Sequence, residues 1–195
     1  MKKITILFAL AALLFFSNSA IAQVSLGVKA GLNYQWMAPR PAGEESEARI
    51  GLALGGFARF KVPIAGFYVQ PELMFSQKGG KTRAGSTEVV YKINNIEIPI
   101  LLGKSFAGGV ARFYLGPQFN FVVGAKGDVT VGSVTRTADL ENYNNFYLGM
   151  QLGFGVDLTK LTIDLNFQPT LGNFAKDSGN YKPNAVQLTV GYKFM

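Results

Sequence analysis

The chain has 195 residues, 48% of them hydrophobic and 16% charged, with 23 Gly, 16 Phe, 8 Tyr and a net charge of +7; it contains no Cys and no His. That length suits one domain of ordinary size, and the missing thiols and imidazoles exclude zinc fingers, iron–sulfur clusters, disulfide frameworks and Ser-His-Asp or Cys-His hydrolases. A composition rich in Phe, Tyr and Gly but poor in charge suits many short strands better than helices or disorder, so an all-β protein is expected.

The first 22 residues read as an address. Lys2 and Lys3 precede a largely apolar run at 4–16, and Ala20 and Ala22 stand at an A-x-A spacing before Gln23. This pattern predicts a signal peptide, residues 1–22, cleaved after Ala22, and a single domain over 23–195. A retained anchor fits worse, because the run covers only ~20 Å of helix against a hydrocarbon core of ~30 Å. No Cys follows to take a lipid, so export without a lipid anchor is expected. Beyond residue 22 there are 17 basic and 12 acidic residues, the basic ones scattered, and an exported chain meets little nucleic acid, so none is expected as a partner.

From Gln23 onward eight segments alternate apolar and polar with a period of two, and none shows a helical period. In the first, Val24, Leu26, Val28, Leu32, Tyr34 and Trp36 share one face against Ser25, Lys29, Asn33 and Gln35. The second sets Ile50, Leu52, Leu54 and Phe60 against Ala53, Arg59 and Lys61, and the third sets Phe67, Val69, Leu73 and Phe75 against Tyr68, Gln70, Glu72, Ser76 and Lys78. The fourth sets Ile96, Ile98, Ile100 and Leu102 against Asn95, Glu97 and Gly103, with a bulge expected before Asn94. The fifth opposes Phe113, Leu115, Phe119, Phe121 and Val123 to Arg112, Tyr114, Gln118 and Asn120. The sixth opposes Phe146, Leu148, Leu152 and Phe154 to Gln151, Gly153, Gly155 and Asp157. The seventh opposes Leu161, Ile163, Leu165 and Phe167 to Thr162, Asp164, Asn166 and Gln168; the eighth, Val186, Leu188, Val190, Tyr192 and Phe194 to Gln187, Thr189, Gly191 and Lys193.

Alternation does not say which face is wet. A soluble lipocalin-like ligand-binding barrel would turn Val28, Leu54, Ile98, Leu152 and Leu165 inward around a cavity, and a membrane barrel would turn them to lipid. The connections decide for the membrane. At 37–48, 62–66, 79–91, 103–110, 124–145, 159–160 and 172–184 they run long, short, long, medium, long, short and long, which fits outer-membrane barrels with short periplasmic turns and long outer loops. An even number of segments of transmembrane length closes without leaving an edge in lipid. Aromatic residues fall where interfacial girdles belong, with Tyr34, Trp36, Phe75, Phe146 and Tyr181 near the outer rim and Phe60, Phe67, Phe113, Tyr192 and Phe194 near the inner one. The expected fold is an eight-stranded antiparallel up-and-down transmembrane β-barrel.

The segments FYVQPELMFSQKG at 67–79 and NNIEIPILLGKSF at 94–106, with the closing VGYKF at 190–194, resemble the small outer-membrane β-barrel proteins abundant in Bacteroidota, a porin-family or PorT-like group with an OmpX-like eight-stranded barrel. The resemblance spans about 24–194. It implies an outer-membrane location and a closing strand whose aromatic residues, here Tyr192 and Phe194, are read by the barrel assembly machinery. Met195 after Phe194 departs from that pattern. The group includes a protein implicated in type IX secretion, which makes a secretion-system subunit one expectation.

An eight-stranded lumen is just wide enough for side chains to fill, so a wide pore is not expected. The inward phase carries Lys29, Arg59, Glu72, Glu97, Arg112, Asp157 and Asp164, and such buried ions are expected to form a paired network. Glu72 and Glu97 fall at similar heights on adjacent strands, which predicts a cation between them from Lys29, Arg59 or Arg112. Glu44, Glu45 and Glu47 read as a solvated acidic loop, while Arg40, Lys78, Lys81, Arg83, Lys126, Arg136, Lys176 and Lys182 are placed around the outer loops near lipid phosphates. Gly80-Lys81-Thr82 lacks the earlier Gly and the helix of a phosphate loop, and Gly153 and Gly155 read as close-packing positions, not a nucleotide fingerprint. These readings predict a monomeric structural or surface-binding protein of the outer membrane, in contact with lipid and lipopolysaccharide. It is expected to need no cofactor or metal and to have no catalytic site. A narrow passive channel is the second expectation.

Overall fold

The computed structural model describes residues 24–38, 45–62, 66–84, 87–131, 134–139, 144–172 and 182–194; the expected signal peptide, and Arg40, Glu44, Lys176 and Tyr181, lie outside them. Ten strands run in chain order: β1 (Val24–Ala38), β2 (Glu45–Glu47), β3 (Arg49–Lys61), β4 (Phe67–Ala84), β5 (Thr87–Phe106), β6 (Ala111–Val131), β7 (Val134–Asp139), β8 (Phe146–Leu158), β9 (Leu161–Gln168) and β10 (Lys182–Lys193). Eight of them, all but β2 and β7, pair antiparallel with their neighbours, and β10 pairs back onto β1. The result is a closed eight-stranded barrel.

Closure fixes the tilt. A path of register partners from Ser76 runs through Ala53, Gly31, Thr189, Asp164, Gly155, Arg112 and Ser105, whose amide donates to the carbonyl of Gly66. One circuit therefore returns to the β4 segment ten residues from where it left, a stagger that makes every strand lean across the barrel wall.

The period-two pattern sorts the faces as expected of a membrane barrel. Val28, Leu54 and Leu165 are about half exposed on the outside, at 48%, 55% and 52%, whereas Lys29, Asn33 and Asp164 are buried within. This inverts the lipocalin-like alternative, which needed those apolar side chains in a cavity. Aromatic pairs mark both rims: Trp36 stacks on Phe167 at 6.4 Å and Phe121 meets Phe146 at 5.1 Å, while Phe106 meets Phe154 at 6.3 Å and Tyr192 meets Phe194 at 5.8 Å.

Two of the expected long loops are sheet. The 79–91 connection continues β4 and β5 up to the pair Ala84 and Thr87, and β6 rises to Val131 before turning back as β7. With β2 on the outer side of β4, these strands form a sheet standing beyond the barrel on the side opposite the termini. Lys81, Lys126 and Arg136 therefore belong to strands, and Glu47 pairs with Lys81 at 3.4 Å. The medium link expected at 103–110 is a short one, because β5 runs on to Phe106 and a single 3-10 turn at Ala107–Gly109 reverses the chain.

The expected irregularity before Asn94 is a register shift between β5 and β6. Asn94 faces Gly124 but Asn95 faces Val122, so the extra residue, Val123, sits on β6. Burial on β6 follows even numbers up to Val122 and odd numbers from Ala125, so the bulge exchanges the strand's two faces.

In the standing sheet Lys92 lies 2.6 Å from Asp128, which also accepts from Thr137 at 2.8 Å. The hydrogen bond from Lys92, then that from Thr137, hold the Asp128 carboxyl below the usual carboxylate range. A lowered folded value gives stability that is present above the unfolded pKa and is lost as pH falls through the folded one. Protection factors for amide exchange in the β6–β7 hairpin, corrected for the intrinsic rate at each pH, should therefore fall on acidification below the ordinary carboxylate range, while those of β8 and β9 hold. Leu152→Arg, at the middle of β8's outer face, should cost about 2–4 kcal/mol of folding in lipid vesicles, read by urea unfolding, whereas Leu152→Ile should cost less than about 1.5 kcal/mol.

Candidate functional site

The strand alternation delivers all seven expected ionic residues, Lys29, Arg59, Glu72, Glu97, Arg112, Asp157 and Asp164, to the lumen side of the wall. Nearest the end that holds the chain termini, Arg112 is fully buried, with Nε 3.0 Å from Asp157 and Nη2 2.6 Å from Asp164; it also donates to Thr162 and to the Tyr68 hydroxyl. Arg59 reaches Asp157 at 2.6 Å and Gln70 at 2.6 Å, with its guanidinium over the rings of Phe57 and Tyr68. Lys29 pairs with Glu72 at 2.6 Å and stands 3.8 Å from Asp164.

Glycines decide which partners can meet. Gly155 lies in register between Arg112 on β6 and Asp164 on β9, and a Cβ there would strike both side chains. Its bare backbone lets the guanidinium cross a whole strand to reach the carboxylate. Gly153 does the same between Tyr114 and Asn166, whose side chains bond at 2.6 Å, and Gly103 leaves room for the Tyr68 ring. Lys29 is flanked by Gly55 and Gly191. The close-packing role expected for Gly153 and Gly155 thus has a specific content: each carries a polar contact over its head.

Above the ionic layer lies a belt of neutral side chains that the search for charged residues passed over. Asn166 donates to Gln187 at 3.0 Å, Gln187 to Asn33 at 2.9 Å, and Asn33 to Ser76 at 2.7 Å. Gln168 donates to Gln151 and Gln151 to Asn166, at 3.1 and 3.3 Å. All of these sit on the polar phase of their segments, which was the available signal. Gln151 is accordingly a tied member of the belt, with its own bonds to lose.

Two expectations change near the far mouth. Glu72 and Glu97 do not share a cation: Lys29 serves Glu72, and Glu97 lies 2.6 Å from Lys78. Arg59 and Arg112, the other proposed bridges, are engaged with Asp157 and Asp164. Lys78, assigned from sequence to the outer loops, is 3% exposed inside the lumen because β4 continues past it. The lumen therefore holds four cations, Lys29, Arg59, Lys78 and Arg112, against four carboxylates, Glu72, Glu97, Asp157 and Asp164. Each carboxylate has a cation within 4 Å, as the low polarisability of the interior demands.

At the termini end the lumen opens into a cavity of about 630 Å³, bordered by Arg59, Lys61, Lys193, Asp157, Ser25 and Ser105 among others. Among the described residues no group of three or more Asp or Glu is arranged to hold a metal ion. Gly155→Ala should cost about 1–3 kcal/mol by overpacking against the Arg112–Asp164 pair, whereas Gly124→Ala, where an added methyl meets only ordinary contact, should be close to neutral. Urea unfolding of both variants in the same vesicles measures the difference.

Known proteins place this architecture. The barrel is similar to the crystal structure of Neisserial surface protein A, with a TM-score of 0.56 and 14% identity over 88% of this chain and 99% of that one. It is similar to Ail, the attachment invasion locus protein of Yersinia pestis, with a TM-score of 0.50 and 11% identity over 88% of this chain and 99% of that one. At such identities the likeness is one of fold. No curated protein sequence matches the chain. The outer membrane protein beta-barrel domain matches residues 16–176, which include seven of the eight wall strands, and the chain belongs to that family.

Proposed function

We propose that this is an exported, monomeric outer-membrane barrel whose lumen is a sealed structural core and whose activity lies in the sheet and connections beyond its outer rim. The observation that carries the reading is the filled lumen, in which the Arg112–Asp164 and Lys78–Glu97 pairs stand on either side of the belt of amides. An aqueous path would have to break those contacts, whereas the standing sheet of β2, β7 and the upper parts of β4, β5 and β6 is built on a rigid wall and free to vary. Binding commonly resides on such elements. Lipopolysaccharide surrounds this end in the proposed orientation, and the signal peptide 1–22, the assembly signal at Tyr192 and Phe194 and a Bacteroidota-type, PorT-like kinship belong to the same reading. With neither Cys nor His in the chain, no enzymatic step is assigned.

A narrow channel is the second reading, favoured by one observation. Buried oxygens of Glu72, Asn95 and Gln118 lack hydrogen-bond partners within the protein, which suits water between the layers. Planar-bilayer recording separates the two. The sealed core predicts no resolved open-pore steps, and regular conductance steps would give the channel the better claim. Replacing residues 81–90 with a two-residue Asn-Gly turn should leave a barrel that still shifts on gels with heating. Loss of the shift would show that the standing sheet is needed for the wall itself.

A further inference from the structure

We infer that the periplasmic mouth is a binding site for the phosphate of an inner-leaflet phospholipid headgroup. The charge of the chain is partitioned. The lumen is balanced, four against four, and the outer segments 39–49, 81–92, 126–145 and 173–182 carry nine basic and eight acidic residues. The excess collects at the end with the termini, where Lys61, Lys104, Lys160 and Lys193 close β3, β5, the β8–β9 turn and β10. Among the described residues the one carboxylate at that end is Asp157, already held by Arg59, Arg112 and Lys193. At the opposite rim acidic neighbours cancel the lysines and arginines that the sequence places near lipid phosphates.

The cavity of about 630 Å³ lies in the middle of this cationic rim. Lys61 and Lys193 stand at its edge and Arg59 forms part of its wall, with a buried Nη2 that has no hydrogen-bond partner. Ser25, Ser105 and Thr159 add polar side chains, and the net charge of the lining favours an anion. Phe67 and Phe106 also border the cavity, and both are exposed on the outer, lipid-facing side of the wall. A pocket that joins cations to hydrocarbon-facing side chains suits an amphiphile whose phosphate enters while its chains stay in the membrane. Lys104, with its ammonium 5.3 Å from the Phe67 ring, sits on that same border. The family's parity of short turns and termini puts this mouth on the periplasmic leaflet.

The test uses the refolded barrel in a maltoside detergent, which carries no phosphate, with isotope labelling of the backbone amides. Short-chain phosphatidylglycerol should shift the amides of Ser25, Ser105 and Thr159 saturably, and inorganic phosphate should need at least about tenfold more to do the same. The double variant Lys61→Gln/Lys193→Gln should raise the half-saturating lipid concentration about tenfold or more, while Lys92→Gln/Lys126→Gln at the far end should leave it unchanged. Equal potency of inorganic phosphate overturns the lipid as the source. No saturable shift, or equal loss in both double variants, overturns the site. The bilayer recording of the lumen is independent of either result.

Discussion

Everything in this molecule follows from the need to satisfy backbone N–H and C=O groups where no water reaches them. A sheet in hydrocarbon has no tolerable edge, so β10 must return to β1, and eight strands then enclose a lumen just wide enough for side chains to fill. Closure turns the usual order of a globular protein inside out. The apolar side chains Leu32, Leu52 and Leu188 cover the exterior, and the interior has to be built from polar groups that pair among themselves.

Such an interior is demanding because unpaired charge is costly at low dielectric. The chain meets the demand with layers: arginines and carboxylates toward one mouth, amides and hydroxyls in the middle, and one lysine–glutamate pair toward the other. Reach is the limiting quantity, since neighbouring strands hold their side chains at fixed spacing. Leaving a strand position empty at Gly153 or Gly155 doubles that reach, so a tyrosine or guanidinium can bond two strands away.

The alternation of single residues was enough to read the wall. A period of two puts Leu152 and Gln151 on opposite faces, and gathers all seven ionic positions on the polar one; the connection lengths then turn that polar face inward. Facing, however, is a local property, and height is not. Lys78 was misplaced because the Gly79-Gly80 pair that follows it looks like a loop, although β4 runs on through both. The Lys29–Glu72 and Lys78–Glu97 pairings depend on the stagger accumulated around the whole circuit, which no single segment carries. The standing sheet escaped for a similar reason: its strands are recognised by their pairing more than by their composition.

The bulge at Val123 gives one strand two facings. Below it, the side chains of β6 answer to lipid on one face and to the packed lumen on the other, and any odd insertion would put arginine into the membrane. Above it the phase has already been reset by one residue. The outward-standing part of β6 therefore carries its own facing, set one residue apart from that of the wall beneath it.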